Sequence, residues 1–98
     1  MSGQIRMTPD QMNSRANDYR TEAGNVEEVI SRMDSLVESL MDEWEGASSE
    51  AYYNRYHGDL RKSFESAVEL INEIADALDA AAKVVRETDE AISQQLSK

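Results

Sequence analysis

Cysteine is absent from this 98-residue chain, which excludes a disulfide framework and a thiolate metal site and leaves the redox compartment unread. Proline occurs once and glycine four times. Gly3 and Pro9 sit near the start, so Gly24, Gly46 and Gly58 are the only interior breakers. Positive charge is scarce too. Ten Lys and Arg face twenty Asp and Glu, a net charge of -10, which opposes binding to nucleic acid or anionic lipid. No apolar run approaches the roughly 20 residues of a membrane span, so stable membrane insertion is not expected. The opening MSGQIRMTPDQM lacks the apolar segment of a cleaved leader. A chain of this length makes one domain.

What is present is helical periodicity. Thr8-Pro9-Asp10-Gln11 reads as a helix start, with Thr8 at the N-cap, Pro9 in the first helical position and Gln11 completing a capping box. From there a spacing of four and three picks out Met12, Ala16, Tyr19, Ala23, Val26, Ile30, Met33, Val37, Leu40 and Trp44, all apolar. Tyr53, His57, Leu60, Phe64, Ala67, Ile71, Ile74, Leu78, Ala81, Val85, Thr88 and Ile92 repeat the device, with only His57 and Thr88 polar. Between them, Gly46 is expected to close helix one in a left-handed conformation, and Ser48 or Ser49 to cap helix two.

So short a turn forces the helices antiparallel. The expected fold is all-α: a single helical hairpin over residues 1–98, with helix one at about 9–44, the turn at about 45–48, helix two at about 48–94, and flexible ends at 1–7 and 95–98. Val29 and Leu36 widen the first stripe, and Val68, Ala75 and Ala82 the second, beyond what a lone hairpin covers. This predicts an antiparallel homodimer forming a four-helix bundle, with close approach at Ala16, Ala23, Ala67 and Ala81. At 1.5 Å per residue the helices run about 54 and about 70 Å. Pro9 therefore comes level with about Lys83, and the segment from Val84 onward overhangs. The overhang keeps an apolar face at Val85, Ile92 and Leu96, with Asp89 among them, and is a candidate binding strip.

Trp44-Glu45-Gly46 at the midpoint, between two heptad-patterned helices in a chain this short and free of Cys, resembles the WXG family. These are the early-secreted-antigenic-target-like (ESAT-like) proteins exported by type VII secretion. The likeness spans essentially the whole chain. The family's tail signal, a Tyr followed four residues later by an acid, is absent, since no Tyr follows Tyr56. Val85, Asp89, Ile92 and Leu96 match the looser form of Firmicute relatives, which implies a Gram-positive, non-mycobacterial source and a homodimer. The resemblance further implies that this strip and the Trp-x-Gly turn of the other subunit form one signal, read by the membrane ATPase of the secretion system. It implies a secreted protein, made in the cytoplasm and exported without a cleaved leader, with a co-exported toxin as a further partner. The alternative is an intracellular helical adaptor or chaperone that pairs with a larger toxin.

Other residues have plainer readings. Trp44 suits a packing anchor at a helix end, with Tyr52, Tyr53 and Tyr56 adding aromatic area nearby. Asp42, Glu43, Glu45 and Glu50 read as a solvated face, or as a patch for a basic partner. His57, lacking any second His, is expected to be half-buried and hydrogen-bonded rather than a metal ligand. Glu28 with Arg32, Asp79 with Lys83 and Arg61 with Glu65 suit pairs along one helix. There is no Ser-His-acid set and no phosphate loop, so no enzyme, cofactor or metal is expected.

Overall fold

The computed structural model describes residues 7–96. Of the ends expected to be flexible, 1–6 and 97–98 lie outside the described residues, whereas Gln95 and Leu96 still belong to the last helix. Nothing after Gly58 is Gly or Pro, so nothing ends that helix early.

The molecule is a hairpin of α1 (Pro9–Glu43) and a long second arm of α2 (Ala47–Arg55), a π-helical turn (Tyr56–Leu60) and α3 (Arg61–Leu96). The capping box forms as the sequence predicts. Thr8 Oγ1 accepts from the Gln11 amide at 3.1 Å, and Gln11 Oε1 accepts from the Thr8 amide at 2.9 Å. The second arm runs unbroken for about 75 Å at helical rise, in keeping with a molecule measuring 78 × 23 × 18 Å.

The turn differs from expectation. Trp44 ends α1 as its cap, with extended φ -122° and ψ 98°, and its amide still donates to the Leu40 carbonyl at 2.8 Å. Gly46 belongs to the second arm as the N-cap of α2, at φ 132° and ψ 173°. Neither Ser48 nor Ser49 caps that helix; the buried Ser49 hydroxyl instead donates to the Gly46 carbonyl at 2.8 Å. With only Glu45 between them, Trp44 and Gly46 share the reversal, and Gly46 takes the half that only glycine adopts cheaply.

Helix packing centres on small residues. Ala16 and Ala23 on α1 and Ala75 and Ala82 on α3 are buried, with Met12, Ile30 and Tyr56 completing the core. Ala67 is exposed and Ala81 only half-covered, so the close approach expected of them falls to Ala75 and Ala82. The π turn is the reason. Its wide ring joins the Arg61 amide to the Tyr56 carbonyl, so the inward positions step by five from Tyr56 to Arg61. They then continue through Phe64, Val68, Ile71, Ala75, Leu78, Ala82 and Val85, all half-buried or buried apart from the line's exposed continuation beyond Val85. Leu60 and Ile74 are displaced to one edge and are exposed, as are Tyr19 and Leu40 on α1. Val26, Met33 and Val37 are half-buried.

The two sides of the hairpin are unlike. Asn13, Arg20 and Asp34 flank the α1 core line on one side and bind α3. Asn13 Nδ2 donates to Asp79 at 2.7 Å, and Arg20 reaches Asp79 at 2.6 Å and Asp76 at 3.0 Å. Asp79 therefore turns to α1 rather than to Lys83, since a cross-helix guanidinium offers it more than a solvated neighbour. Glu28–Arg32 at 3.8 Å and Arg61–Glu65 at 3.2 Å do form along their helices. The opposite flank carries Tyr19, Val26, Met33 and Leu40, an apolar edge one residue back from the polar one.

Candidate functional site

The turn presents an aromatic pair. Trp44, freed from helical geometry, stacks on Tyr52 with ring centroids 5.8 Å apart and planes at 30°. The pair remains open: Trp44 is 39% and Tyr52 56% exposed. Trp44 thus does not close the core line, as a helical residue in its place would. Asp42, Glu43, Glu45 and Glu50 lie exposed around it.

Below the pair, three side chains of the second arm, Tyr53, Tyr56 and Arg61, hold it to α1. Tyr53 Oη donates to Glu38 at 2.8 Å, which raises the Tyr53 phenol above its ordinary value, with burial adding to the effect. Tyr56 Oη donates to Asp34 Oδ1 at 2.7 Å, with the Ile30 carbonyl 3.3 Å away. Burial first and this bond second push the Tyr56 phenol up to about 12. Arg61 completes the group with Nε and Nη2 each 3.0 Å from an Asp34 oxygen. That fork holds the Asp34 carboxyl below the usual carboxylate range and raises Arg61.

His57 departs from expectation. Its ring is half-buried beside Tyr53 and Tyr56, at centroid distances of 4.5 and 5.0 Å. Nε2 is buried with no hydrogen-bond partner, and the nearest carboxylate oxygen, on Glu38, is 4.0 Å away. Tyr56 occupies the core position the spacing gave to His57. Sequence reasoning missed Asp34, Tyr56 and Arg61 together. The available signal was a polar residue breaking an apolar stripe one place after a Tyr and one before Gly58.

The tail strip lies at the other end of the rod. Asp10 pairs with Arg86 at 2.7 Å, the ion pair between the arms farthest from the turn among the described residues. The overhang thus begins just past Arg86 rather than at Val84, because Arg86 still reaches Asp10 on α1 and Val85 is half-buried. Beyond it Asp89, Ile92 and Leu96 are exposed, Ile92 by half and Leu96 by 81%. They continue the core line of α3 past the point where α1 has anything to offer. Trp44 and Leu96 of one chain are therefore separated by nearly the length of the molecule.

Among the described residues no group of three His, Asp or Glu side chains is placed to hold a metal ion, and no helix is long and apolar enough to cross a membrane.

Known proteins share this form. The Geobacillus thermodenitrificans EsxA crystal structure is 41% identical, superposes with a TM-score of 0.81, and the match covers 94% of this chain and 98% of that one. Protein YukE of Bacillus subtilis is 33% identical over 98% of both chains. The secreted protein EsxB of Bacillus anthracis, at 22% identity and a TM-score of 0.78 over 90% of this chain and 99% of its own, shares the fold. Residues 4–90 match the family WXG100, proteins of 100 residues with WXG. Trp44-Glu45-Gly46 is the motif that family is named for, and this chain belongs to it.

Proposed function

We propose that the protein is a small, non-enzymatic effector or adaptor exported by a type VII secretion system, acting as an antiparallel homodimer. The supporting observation is the separation of the turn and the strip along one rod, next to an apolar side that the chain leaves uncovered. A second copy laid antiparallel on that side brings Trp44, Gly46 and Tyr52 of one subunit beside Asp89, Ile92 and Leu96 of the other. Tyr19, Val26, Met33, Leu40, Leu60 and Ile74 then meet their counterparts in a four-helix bundle, while Met12, Ile30, Val37, Phe64, Ile71 and Leu78 hold each hairpin. The paired ends form the surface for the membrane ATPase, and a co-exported toxin would bind the same dimer. The family likeness supports this reading, and so does the Bacillus anthracis relative, which is a secreted protein.

The test is export from a host with an active type VII system. Wild type, Trp44→Ala and Asp89→Ala are blotted in cells and medium beside a cytosolic lysis control. Wild type should reach the medium while both variants stay in the cells as folded protein. Retention of all three would favour the intracellular adaptor, for which the uncovered side receives a helix of a larger toxin.

A further inference from the structure

The second arm carries its exposed apolar residues in mirrored places. Among the described residues from Tyr52 to Ile92, the large ones are Tyr52, Leu60, Leu70, Ile74, Val84 and Ile92. Leu70 and Ile74 lie two places either side of residue 72, Leu60 and Val84 twelve, and Tyr52 and Ile92 twenty. Ala67 and Ala77, both exposed, stand five places either side. A helix face with this symmetry reads the same from either end, so it fits a second copy of itself laid antiparallel.

Two opposite charges keep the same symmetry. Arg55 and Asp89 stand seventeen places either side of residue 72, and both are exposed. Neither makes a hydrogen bond or ion pair among the described residues. Arg55 lies on the rim of a groove of about 550 Å³ that it forms with Met33, Val37, Tyr52 and Leu60 on the apolar side of the hairpin. Asp59 lines that groove as well, without pairing to Arg55. Asp89 stands in line with Val85, Ile92 and Leu96 on the overhang. About 50 Å of helix separates Arg55 from Asp89, so they cannot meet within one chain.

From this we infer that Arg55 of one copy pairs with Asp89 of the other, twice in each dimer, and that the two pairs fix the antiparallel register about residue 72. The inference rests on the dimer proposed above and names what holds its ends. Two antiparallel hairpins laid side to side are related by a two-fold axis crossing the rods, so second arm opposes second arm. With Asp89 at Arg55, Ile92 comes level with Tyr52, Leu96 with Ser48 near the turn, and Val84 with Leu60 at the groove. A slip of four residues sets Leu60 against Thr88 and Arg55 against Ser93 one way, or Leu60 against Ala80 and Arg55 against Val85 the other. Apolar match and ion pair thus select one alignment. A parallel arrangement would set Arg55 against Arg55 and Asp89 against Asp89. Asp89 is therefore a positioning residue, which holds the tail strip against the other copy's turn.

Charge exchange tests this by sedimentation of the full chain at low ionic strength, where a surface pair is least screened. Arg55→Glu alone and Asp89→Arg alone each place two like-charge contacts in a dimer. Each should raise the dimer Kd about tenfold or more, with helicity unchanged by far-UV dichroism. An equal mixture of the two variants restores opposite charges at both ends, and should bring Kd within about threefold of wild type. A mixture no tighter than the variants alone, or single variants as tight as wild type, would overturn the pair and leave the dimer standing. A wild type that stays monomeric up to its solubility limit would overturn the dimer and the pair with it.

Discussion

Asp34 and Arg61 meet through two parallel hydrogen bonds of 3.0 Å, and Tyr56 Oη closes on the same carboxylate at 2.7 Å. In an α-helix residues five apart point in different directions. The π turn alone lets Tyr56 and Arg61 share one partner on α1.

That pairing predicts an acid limb. Asp34 is held low by Arg61 first and Tyr56 second, and Asp79 by Asn13 first and then Arg20. Carboxylates with depressed folded values contribute stability that is complete above the unfolded value of about 3.9 and lost as pH falls through the folded values. The urea midpoint should therefore drop below pH about 4. Asp34→Asn and Asp79→Asn should each flatten this limb while lowering stability at neutral pH, as urea titrations at several pH values would read.

An alkaline limb has the opposite sign. Tyr56 is pushed up to about 12 by burial and the Asp34 bond. A raised value means stability complete below the unfolded phenol value of about 10, then lost as pH climbs towards the folded one. In a spectrophotometric titration, Tyr56 should ionise late, near pH 12. Tyr56→Phe should remove that late step and cost about 1 kcal/mol at neutral pH.

Gly46→Ala should destabilise by about 1–3 kcal/mol, since φ +132° is closed to side chains. A Cβ there meets no atom within 4 Å, so the loss is backbone strain alone. Substituting Ser for Gly46 should therefore cost about as much as Ala in thermal melts.

Ala75→Leu or Ala82→Leu should lower stability by about 1–3 kcal/mol or more, because both methyls are fully covered where the helices touch. Ala80→Leu, one face away and exposed, should change it by less than about 0.5 kcal/mol. Equal effects at all three positions would contradict the observed contact line.

Trp44→Ala should leave the hairpin helical, with a loss near 0.5–1.5 kcal/mol for the aromatic pair. Far-UV dichroism and a urea melt would detect anything larger, which would mean Trp44 packs more than its 39% exposure allows.

The start of α1 was fully legible, because Thr8, Pro9 and Gln11 act locally and need no tertiary contact to form their cap. The hairpin was legible as well, since apolar periodicity carries across any length of helix. The α3 register was not. A spacing of four and three through Leu60, Ala67, Ile74 and Ala81 is as apolar as the one through Val68, Ala75 and Ala82, and cross-helix contacts, of Arg61 with Asp34 and of Asp79 with Asn13 and Arg20, decide between them. The turn failed for a related reason: glycine, being permissive, serves at a helix end or a helix start, and its neighbours choose. The tail strip was visible as pattern, and its position beyond Arg86 follows from arm lengths that composition alone sets.

The cross-helix ion pairs on one flank of the hairpin also bear on stoichiometry. A rod wetted by charge along one side and bare along the other can satisfy its bare side only once. Two such rods laid bare side to bare side would leave their charged flanks outermost. With 20 acidic residues in each chain, like surfaces repel. A charged outer flank of this kind disfavours growth into filaments or sheets.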